Sequence, residues 1–308
     1  MKIVYMGTPE IAVPCLRFLK KESSHTVAAV FTQPDKPKGR GHHLVSTPVK
    51  AAALAFKIPV YQPVSLRKGE DAENSLQVLR KLQPDLIVVL AYGQILPKAI
   101  LELPRYGCIN LHASLLPAYR GAAPIQWCIL NGETQTGITA QQMAEGLDTG
   151  DMLLKKTIMI GEEETAAELT DRLAVLAVET LAETLNALEA GTLRPEPQDE
   201  TMSSYAGRIT KEMSSLDFTK SAETLHNLIR AVTGFTVLDG KRLKVYASRV
   251  IPDVPGRPGT VCDETKFLVA CGDGNGLMLT EIQPEGKRRM SAEEYLRGKK
   301  LKTGTQLG

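Results

Sequence analysis

The sequence is poor in cysteine, which excludes two classes of small stabilised protein. Its five cysteines are odd in number and form no CxxC pair. A disulfide framework or a structural zinc site requires paired cysteines at close spacing. We therefore expect reduced cysteines that are mostly buried, and no metal. The five are Cys15, Cys108, Cys128, Cys262 and Cys271.

Long apolar runs are also missing. The longest, Leu86 to Ala91, is far shorter than the roughly 18 residues that a membrane-spanning helix needs. The four apolar residues from Ile3 to Met6 are followed at once by Gly7, so they are too few for the core of a signal peptide. The sequence therefore predicts a cytoplasmic protein that does not enter a membrane.

Charge is unevenly distributed along the chain. The whole sequence carries a net charge of +2, with 43% hydrophobic and 23% charged residues, which is typical of a soluble globular protein. Residues 1–206 hold 20 Lys and Arg against 23 Asp and Glu, a net of −3. Residues 207–308 hold 17 against 12, a net of +5. A basic C-terminal part suits a polyanionic partner, although an ordinary solvated surface fits this imbalance equally well.

The first half alternates short β-rich runs with an amphipathic helical stretch. The predicted strands are Lys2–Met6, Thr26–Thr32, Asp85–Ala91 and Cys108–Leu111, and the predicted helix is Ala12–Leu19. Such alternation predicts an α/β fold with a Rossmann-like, mostly parallel sheet. Residues 33–50 break this rhythm with three prolines, two glycines and four Lys or Arg, which predicts a long exposed loop.

The second half predicts a separate small domain. A helix is expected from Glu162 to Leu188, with its end near Gly191. After it, residues 191–205 read as a linker. One helix and several short β-like runs separated by glycines then favour a small OB-like β-barrel. The helix is Ala222–Val232 and the runs are Lys241–Ala247, Phe267–Cys271 and Leu277–Ile282. We thus predict a catalytic domain over 1–190, the linker, and a β-barrel over 206–308.

Two segments carry residues suited to chemistry. In a strand that ends at His112, Asn110 and His112 share one face and lie at the carboxyl end, where open α/β sheets bind ligands. Asp148 stands between Gly146 and Gly150, in a tight loop where backbone can approach a ligand. Taken singly, each also fits a structural role. Together, Asn110 and His112 can stabilise the oxyanion of an acyl transfer, and Asp148 can favour a protonated imidazole or accept a proton.

At these positions the sequence resembles the folate-dependent formyltransferases. The resemblance rests on Asn110-x-His112, the run Ser114–Pro117, the run Tyr119–Pro124 and the run Gly146–Gly150. It implies that Asn110, His112 and Asp148 are the catalytic residues and that 10-formyltetrahydrofolate is the formyl donor. It also implies a set of folate-binding residues. These are Leu90, Tyr92, Gly93, Ser114, Leu115, Leu116, Pro117, Gly146 and Leu147.

Further motifs are similar to methionyl-tRNA formyltransferases. They are Thr8–Glu10, Gln33–Gly41, Ala91–Pro97 and Gln283–Lys287. The resemblance implies transfer to the amino group of initiator Met-tRNA in translation initiation, a C-terminal tRNA-binding domain, and a monomer. Basic residues could contact the tRNA phosphates. The candidates are Lys36, Lys38, Arg40, Lys50, Lys211 and Lys244.

Other readings stay open from sequence alone. A sugar-amine N-formyltransferase or a formyl-folate hydrolase would share the catalytic motif, but neither needs a basic arm. A glycinamide ribonucleotide formyltransferase would not explain the part after residue 205. A non-catalytic RNA-binding protein leaves Asn110 and His112 unexplained, and a dehydrogenase would need a GxGxxG after the first strand. The chain departs from the family pattern at 232–236 and at Phe218, where Trp is common.

Overall fold

The computed structural model describes residues 1–38 and 43–308, without the side chains of Lys38 and His43. This part of the chain forms two compact units, each made of segments that are discontinuous in sequence. The first unit comprises Met1–Pro124, Thr136–Ile158 and Leu169–Ala206. The second comprises Ile125–Gln135, Met159–Glu168 and Gly207–Gly308. None of the helices in the described residues is both long enough and apolar enough to span a membrane.

The described strands and helices alternate through the first half of the chain, and strands dominate the last third. The strands are β1 (Lys2–Gly7), β2 (Thr26–Phe31), β3 (Lys36–Lys38), β4 (His43–Val45), β5 (Val60–Tyr61), β6 (Leu86–Leu90), β7 (Cys108–His112), β8 (Arg120–Gly121), β9 (Gln135–Gln142), β10 (Met152–Met159), β11 (Tyr205–Ala206), β12 (Gly234–Leu238), β13 (Lys241–Ile251), β14 (Val261–Asp263), β15 (Leu268–Ala270), β16 (Gly276–Pro284) and β17 (Met290–Ser291). The helices are α1 (Val13–Lys21), α2 (Pro48–Ala55), α3 (Glu70–Leu82), α4 (Lys98–Leu101), α5 (Pro124–Leu130), α6 (Ala166–Glu189), α7 (Ala222–Val232) and α8 (Ala292–Gly298).

The first unit is built on a sheet with the order β10-β9-β7-β6-β1-β2-β5. The pairs from β7 through β5 are parallel, whereas β9 runs antiparallel to β7. The predicted α/β class with a mostly parallel sheet is confirmed. Every residue of β6 and β7 is buried, as expected for central strands covered on both faces. Because these two strands are parallel neighbours, their carboxyl ends, at Leu90 and His112, lie at the same edge of the sheet.

The predicted loop over residues 33–50 contains regular structure, so that prediction is wrong in part. Strands β3 and β4 pair antiparallel, with Lys36 opposite Val45 and Lys38 opposite His43. Helix α2 already begins at Pro48, capped by Thr47, whose side chain accepts a hydrogen bond from the Lys50 amide. Three-residue strands are too short to show an alternating pattern, which is why the sequence did not reveal them.

Helix α6 begins later than predicted, at a recognisable N-terminal cap. The Thr165 hydroxyl accepts a hydrogen bond from the Glu168 amide, and the Glu168 carboxylate accepts one from the Thr165 amide. This reciprocal pair is a capping box. It fixes the first helical residue at Ala166 instead of Glu162. The helix ends at Glu189, and Gly191 follows in the left-handed region at φ +65°.

The second unit is organised around an antiparallel sheet with the order β12-β13-β16-β15-β14, to which β17 adds beside β16. Helix α7 has the predicted bounds because Ser221 caps its first turn. Its buried residues Leu225 and Ile229 join Val245, Phe267 and Leu279 in one apolar core. Antiparallel strands around a single core agree with the small β domain expected from sequence.

Residues 191–205, predicted as a linker, belong to the first unit. The last residue of that unit is Ala206. Glu196 pairs with Met152 in an isolated bridge, and β11 pairs in parallel with β8. The Arg120 amide donates to the Ser204 carbonyl at 2.8 Å. This segment is therefore hydrogen-bonded to the loops that follow β7 and β9.

Candidate active site

Asn110 and His112 lie at the carboxyl end of β7. The strand is hydrogen-bonded on both sides, and Asn110 stands opposite Val89 of β6 and Gln141 of β9. Both side chains are buried, with Asn110 9% and His112 6% exposed. Buried polar side chains are costly unless they are hydrogen-bonded, so their partners define the site.

The carboxylate of Asp148 is the shared hydrogen-bond acceptor of this site. Its Oδ1 accepts hydrogen bonds from Gln141 Nε2 at 2.9 Å and from Asn110 Nδ2 at 3.3 Å. Its Oδ2 accepts one from the backbone amide of Gly121 at 2.9 Å. The turn that carries Asp148 thus folds back onto the end of β7. The structure brings Asn110, His112 and Asp148 into one cluster, although Asn110 and Asp148 are 38 residues apart in sequence.

The ring of His112 has one nitrogen in use and one facing Asp148. His112 Nε2 lies 2.8 Å from the carbonyl of Tyr119, and Nδ1 lies 3.6 Å from Asp148 Oδ1. Because a carbonyl only accepts hydrogen bonds, Nε2 must carry a proton. Nδ1 is then the position where a second proton can lie between the ring and the carboxylate.

The loop after His112 contains four of the predicted folate-binding residues, Ser114 to Pro117. Ser114 is fully buried, and its hydroxyl donates to the Ala118 carbonyl at 2.7 Å. Thr139 of β9 donates to the Ser114 carbonyl and accepts from the Leu116 amide. Leu116 is buried, whereas Leu115 and Pro117 are half-buried. Strand β9 therefore anchors this loop beside the Asn110 and His112 pair.

Leu90, Tyr92 and Gly93 lie at the end of β6, next to the end of β7. The Tyr92 carbonyl accepts hydrogen bonds from Thr8 Oγ1 at 2.9 Å and Gln33 Nε2 at 3.2 Å. Burial raises the pKa of the Tyr92 hydroxyl above its usual value. Within the described residues, that hydroxyl has no hydrogen-bond partner. Gly93 adopts φ +86°, which favours glycine there.

Gly146 and Leu147 form the exposed side of the Asp148 turn. A side chain at Gly146 would collide with Thr149, whose Oγ1 lies 2.2 Å from the position of an added β carbon. The Leu147 side chain is 49% exposed despite its apolar character. An exposed leucine beside buried polar groups suits contact with a flat ligand.

Gln141, Gln198 and Arg120 belong to the cluster, although sequence patterns predicted no role for them. Gln198 Nε2 donates to the carbonyls of Asp148 and Gly150, each at 2.7 Å. Arg120 donates to Gln198 Oε1 and forms a two-point pair with Glu200. The Arg120 guanidinium lowers the pKa of the Glu200 carboxyl. An available signal was the position of Arg120 within the Tyr119–Pro124 motif; Gln198 carried none, because it lay in the predicted linker.

Gln141 also supplies an unused acceptor. It is 1% exposed, and its Oε1 has no hydrogen-bond partner in the described part of the chain. Its Nε2 is bonded to Asp148, so the open oxygen belongs to the same cluster. A buried acceptor without a partner is destabilising unless a ligand supplies the donor. The residues present therefore fit a polar ligand that carries N–H groups.

The predicted tRNA-binding residues are distributed over both units. In the first unit, Lys36 is exposed on β3, and Lys50 Nζ lies 2.5 Å from Asp35 Oδ2. This contact with Lys50 lowers the pKa of Asp35. The side chain of Lys38 and the whole of Arg40 lie outside the described residues. In the second unit, Lys211 and Lys244 are exposed.

Two family descriptions together cover almost the whole chain. Formyl transferase matches residues 1–185, and formyl transferase, C-terminal domain, matches residues 208–300. The chain belongs to the formyl transferase family. The three residues predicted to be catalytic, Asn110, His112 and Asp148, fall inside the first match.

Full-length relatives of the formyltransferase share about half of its residues. A methionyl-tRNA formyltransferase of Geobacter metallireducens is 49% identical over 314 residues, covering 100% of this chain and 99% of the relative. One of Alkaliphilus oremlandii is 50% identical over 315 residues, covering 100% of both. An N-formyltransferase of Helicobacter canadensis, solved with folinic acid and dTDP-3-aminofucose, has the same fold. It is 21% identical with a TM-score of 0.69, covering 92% of this chain and 99% of that one.

Proposed function

We propose that this formyltransferase transfers the formyl group of 10-formyltetrahydrofolate to the amino group of initiator Met-tRNA. The product is N-formylmethionyl-tRNA, which serves translation initiation. The observation that carries the proposal is the Asp148 carboxylate, bonded to Asn110 and facing His112 at the end of β7. The methionyl-tRNA formyltransferases that match this chain from end to end support the choice of acceptor.

Asn110 acts on the formyl oxygen, and His112 acts on the leaving folate nitrogen. Attack by an amine on the formyl carbon places negative charge on that oxygen, and donors fixed in advance stabilise it. The Asn110 amide carries two N–H groups, of which one is directed at Asp148. The second is the donor for the oxyanion. The His112 ring, fixed by the Tyr119 carbonyl, supplies a proton as the folate nitrogen leaves.

Asp148 acts as the general base of the reaction. The attacking amine must be neutral, and it becomes cationic once it has bonded to the formyl carbon. Asp148 accepts that proton directly or through water, as a general base. Its two oxygens are held by Asn110, Gln141 and the Gly121 amide, so the acceptor is oriented before the substrate arrives. No nucleophilic serine or cysteine is required.

The donor folate binds along the two strand ends. Three segments predicted to bind folate lie near these strand ends. The Tyr92–Gly93 turn follows β6, the Ser114–Pro117 loop follows β7 and is bonded to Thr139 of β9, and Gly146 and Leu147 directly precede Asp148. Gln141 Oε1 is a buried acceptor that fits an N–H of the ligand. The tRNA binds through exposed lysines, with Lys36 in the first unit and Lys211 and Lys244 in the second.

The proposal is tested by formyl transfer to charged tRNA. Purified enzyme is incubated with 10-formyltetrahydrofolate and initiator Met-tRNA, and N-formylmethionyl-tRNA is separated on acid gels. Product formed at catalytic enzyme levels within seconds is the expected result. Parallel reactions contain elongator Met-tRNA, a dTDP-amino sugar, or no acceptor. Transfer to the sugar or to water alone, with none to Met-tRNA, would overturn the acceptor assignment and leave the formyl chemistry in place.

A further inference from the structure

The backbone of Asp148 is held in an unusual conformation by a side chain from a distant segment. Asp148 has φ +53°, in the left-handed region that residues other than glycine rarely adopt. A residue other than glycine in this region is strained and persists only where its surroundings fix it. Gln198 Nε2 donates to the carbonyls of Asp148 and Gly150, each at 2.7 Å. The side-chain amide of Gln198 thus holds the turn at both Asp148 and Gly150.

The orientation of the Gln198 amide is determined by its third partner. Arg120 Nε donates to Gln198 Oε1 at 2.9 Å. Arginine can only donate, and the two carbonyls of the turn can only accept. A reversed amide would therefore place donor against donor and acceptor against acceptor. The network has one consistent arrangement, with the amino group of Gln198 toward the turn.

Arg120 is itself immobilised. It is 8% exposed, and its two terminal nitrogens bond to the two Glu200 oxygens at 2.9 Å each. Such two-point pairs are the geometrically specific form of an Arg–carboxylate contact. The next residue, Gly121, donates its amide to Asp148 Oδ2. The same short strand thus fixes the Asp148 carboxylate directly and, through Gln198, the Asp148 backbone.

We propose that Gln198, locked by Arg120 and Glu200, is a positioning residue that sets the Asp148 carboxylate for formyl transfer. The inference rests on the proposed function of Asp148 and adds the group that places it. Gln198 acts through Asp148 and does not itself contact the reacting atoms. A displacement of about 1 Å at a catalytic group can cost roughly 10²-fold in rate.

Two substitutions remove the donor in different ways. Gln198→Glu keeps the size of the side chain and turns the amino group into an acceptor. Gln198→Met removes the donor without adding charge beside Glu200. We expect each to lower kcat by about 10- to 100-fold, with the KM for folate and for tRNA changed by less than about threefold. Gln306→Glu is the matched control, since Gln306 Nε2 also donates to two backbone carbonyls, those of Pro258 and Leu307.

A double-mutant cycle separates positioning from general stability. Because Gln198 acts through Asp148, Gln198→Glu should cost less than about threefold in single-turnover rate when Asp148→Asn is already present. Multiplicative losses in the double variant would overturn the proposal. So would wild-type kcat in both Gln198 variants.

Hydrogen exchange tests the same idea without activity. Amides in peptides covering residues 144–153 should exchange faster in Gln198→Glu and Gln198→Met than in the wild type or in Gln306→Glu. Unchanged exchange would also overturn the proposal. If the wild type does not formylate Met-tRNA, the proposed function fails, and the exchange measurement still decides whether Gln198 holds the turn.

Discussion

At the scale of single residues, the site depends on groups whose geometry is set before any ligand binds. Asp148 accepts three hydrogen bonds through its carboxylate while its backbone is in the left-handed region. Asn110 and His112 are buried at a strand end and cannot reorient freely. The proposed chemistry therefore depends on fixed donors, and removing one should affect turnover more than binding.

Asn110→Ala and His112→Ala test this point directly. In the proposed mechanism Asn110 is a donor to the formyl oxygen and His112 is the proton donor to the folate nitrogen. We therefore expect kcat to fall by about 10²–10³-fold in each variant. Folate affinity, measured by fluorescence titration, should stay within a few-fold of the wild-type value. Turnover near wild type in both variants would exclude these donor roles for Asn110 and His112.

Gly121 carries a second residue-level prediction. It has φ +117°, and a β carbon there would lie 2.7 Å from the Ala206 carbonyl oxygen. Gly121→Ala should therefore lower the free energy of unfolding by about 1–3 kcal/mol and displace the amide that holds Asp148. Urea unfolding measures the first effect and the formylation assay the second. Gly298→Ala, where no atom lies within 4 Å of the added carbon, is the control and should lower neither stability nor activity.

At the scale of elements, the sequence predicted what local pattern can encode. The β-rich runs correctly predicted the strands β1, β2, β6 and β7. They also placed Asn110 and His112 at the carboxyl end of a strand. Strand β9 was missed because its sequence, QTGITAQQ, is polar, although six of its eight residues are buried. Its Thr139 and Gln141 are buried because they hydrogen-bond to the 114–117 loop and to Asp148. That pairing is tertiary, and a local pattern does not contain it.

The β3–β4 hairpin gives the prediction at this scale. Lys36 is exposed on β3, whereas Lys50 is engaged by Asp35. If Lys36 contacts one tRNA phosphate, Lys36→Ala should raise the KM for tRNA and reduce the slope of log KM against log salt by about 1. Initial rates at several salt concentrations give that slope. Lys81→Ala, an exposed lysine at the end of α3, is the control. Equal slopes in all three proteins would exclude Lys36 as a phosphate contact.

At the scale of the whole molecule, discontinuous segments assemble each unit. The indole of Trp127 donates to the Gly207 carbonyl at 2.8 Å, and Arg230 donates to the carbonyls of Gly161 and Glu164 at 3.0 Å. Residues 125–135 and 159–168 therefore belong with the C-terminal part of the chain. The sequence predicted one boundary near residue 205 because composition changes there. Contacts between residues so far apart in sequence cannot be recognised from amino-acid composition.

Burial of the cysteines gives a prediction for the protein as a whole. Burial raises the pKa of Cys15, Cys108 and Cys271 to about 12, and Cys128 is also buried, whereas Cys262 is half-buried. We expect Ellman's reagent to modify one thiol per native molecule, Cys262, and five after denaturation. Cys262→Ser should leave none reactive in the native state. Rapid reaction of two or more native thiols would contradict this burial.

The same shifts predict a loss of stability in alkali. Because the folded pKa values lie above the unfolded value of about 8.5, the folded state keeps protons that the unfolded chain releases. This stabilisation is present below the unfolded pKa and is lost as the pH rises toward 12. The urea midpoint should therefore fall between pH 9 and pH 10.5 by less in a Cys15→Ala variant than in the wild type. An equal fall in both proteins would exclude this contribution.

The interleaving of the two units has a consequence during synthesis. When residue 206 has been added to the nascent chain, α5 and the 159–168 segment have been made, but their partners in 207–308 have not. At about 5–20 residues per second, that wait lasts roughly 5–20 s. Ile125 and Ile129, which are buried and belong to the second unit, are therefore made before most of that unit. Stop codons or slow codons after residue 206 should thus make the nascent chain a client of chaperones, even though all of the proposed catalytic residues have already been translated.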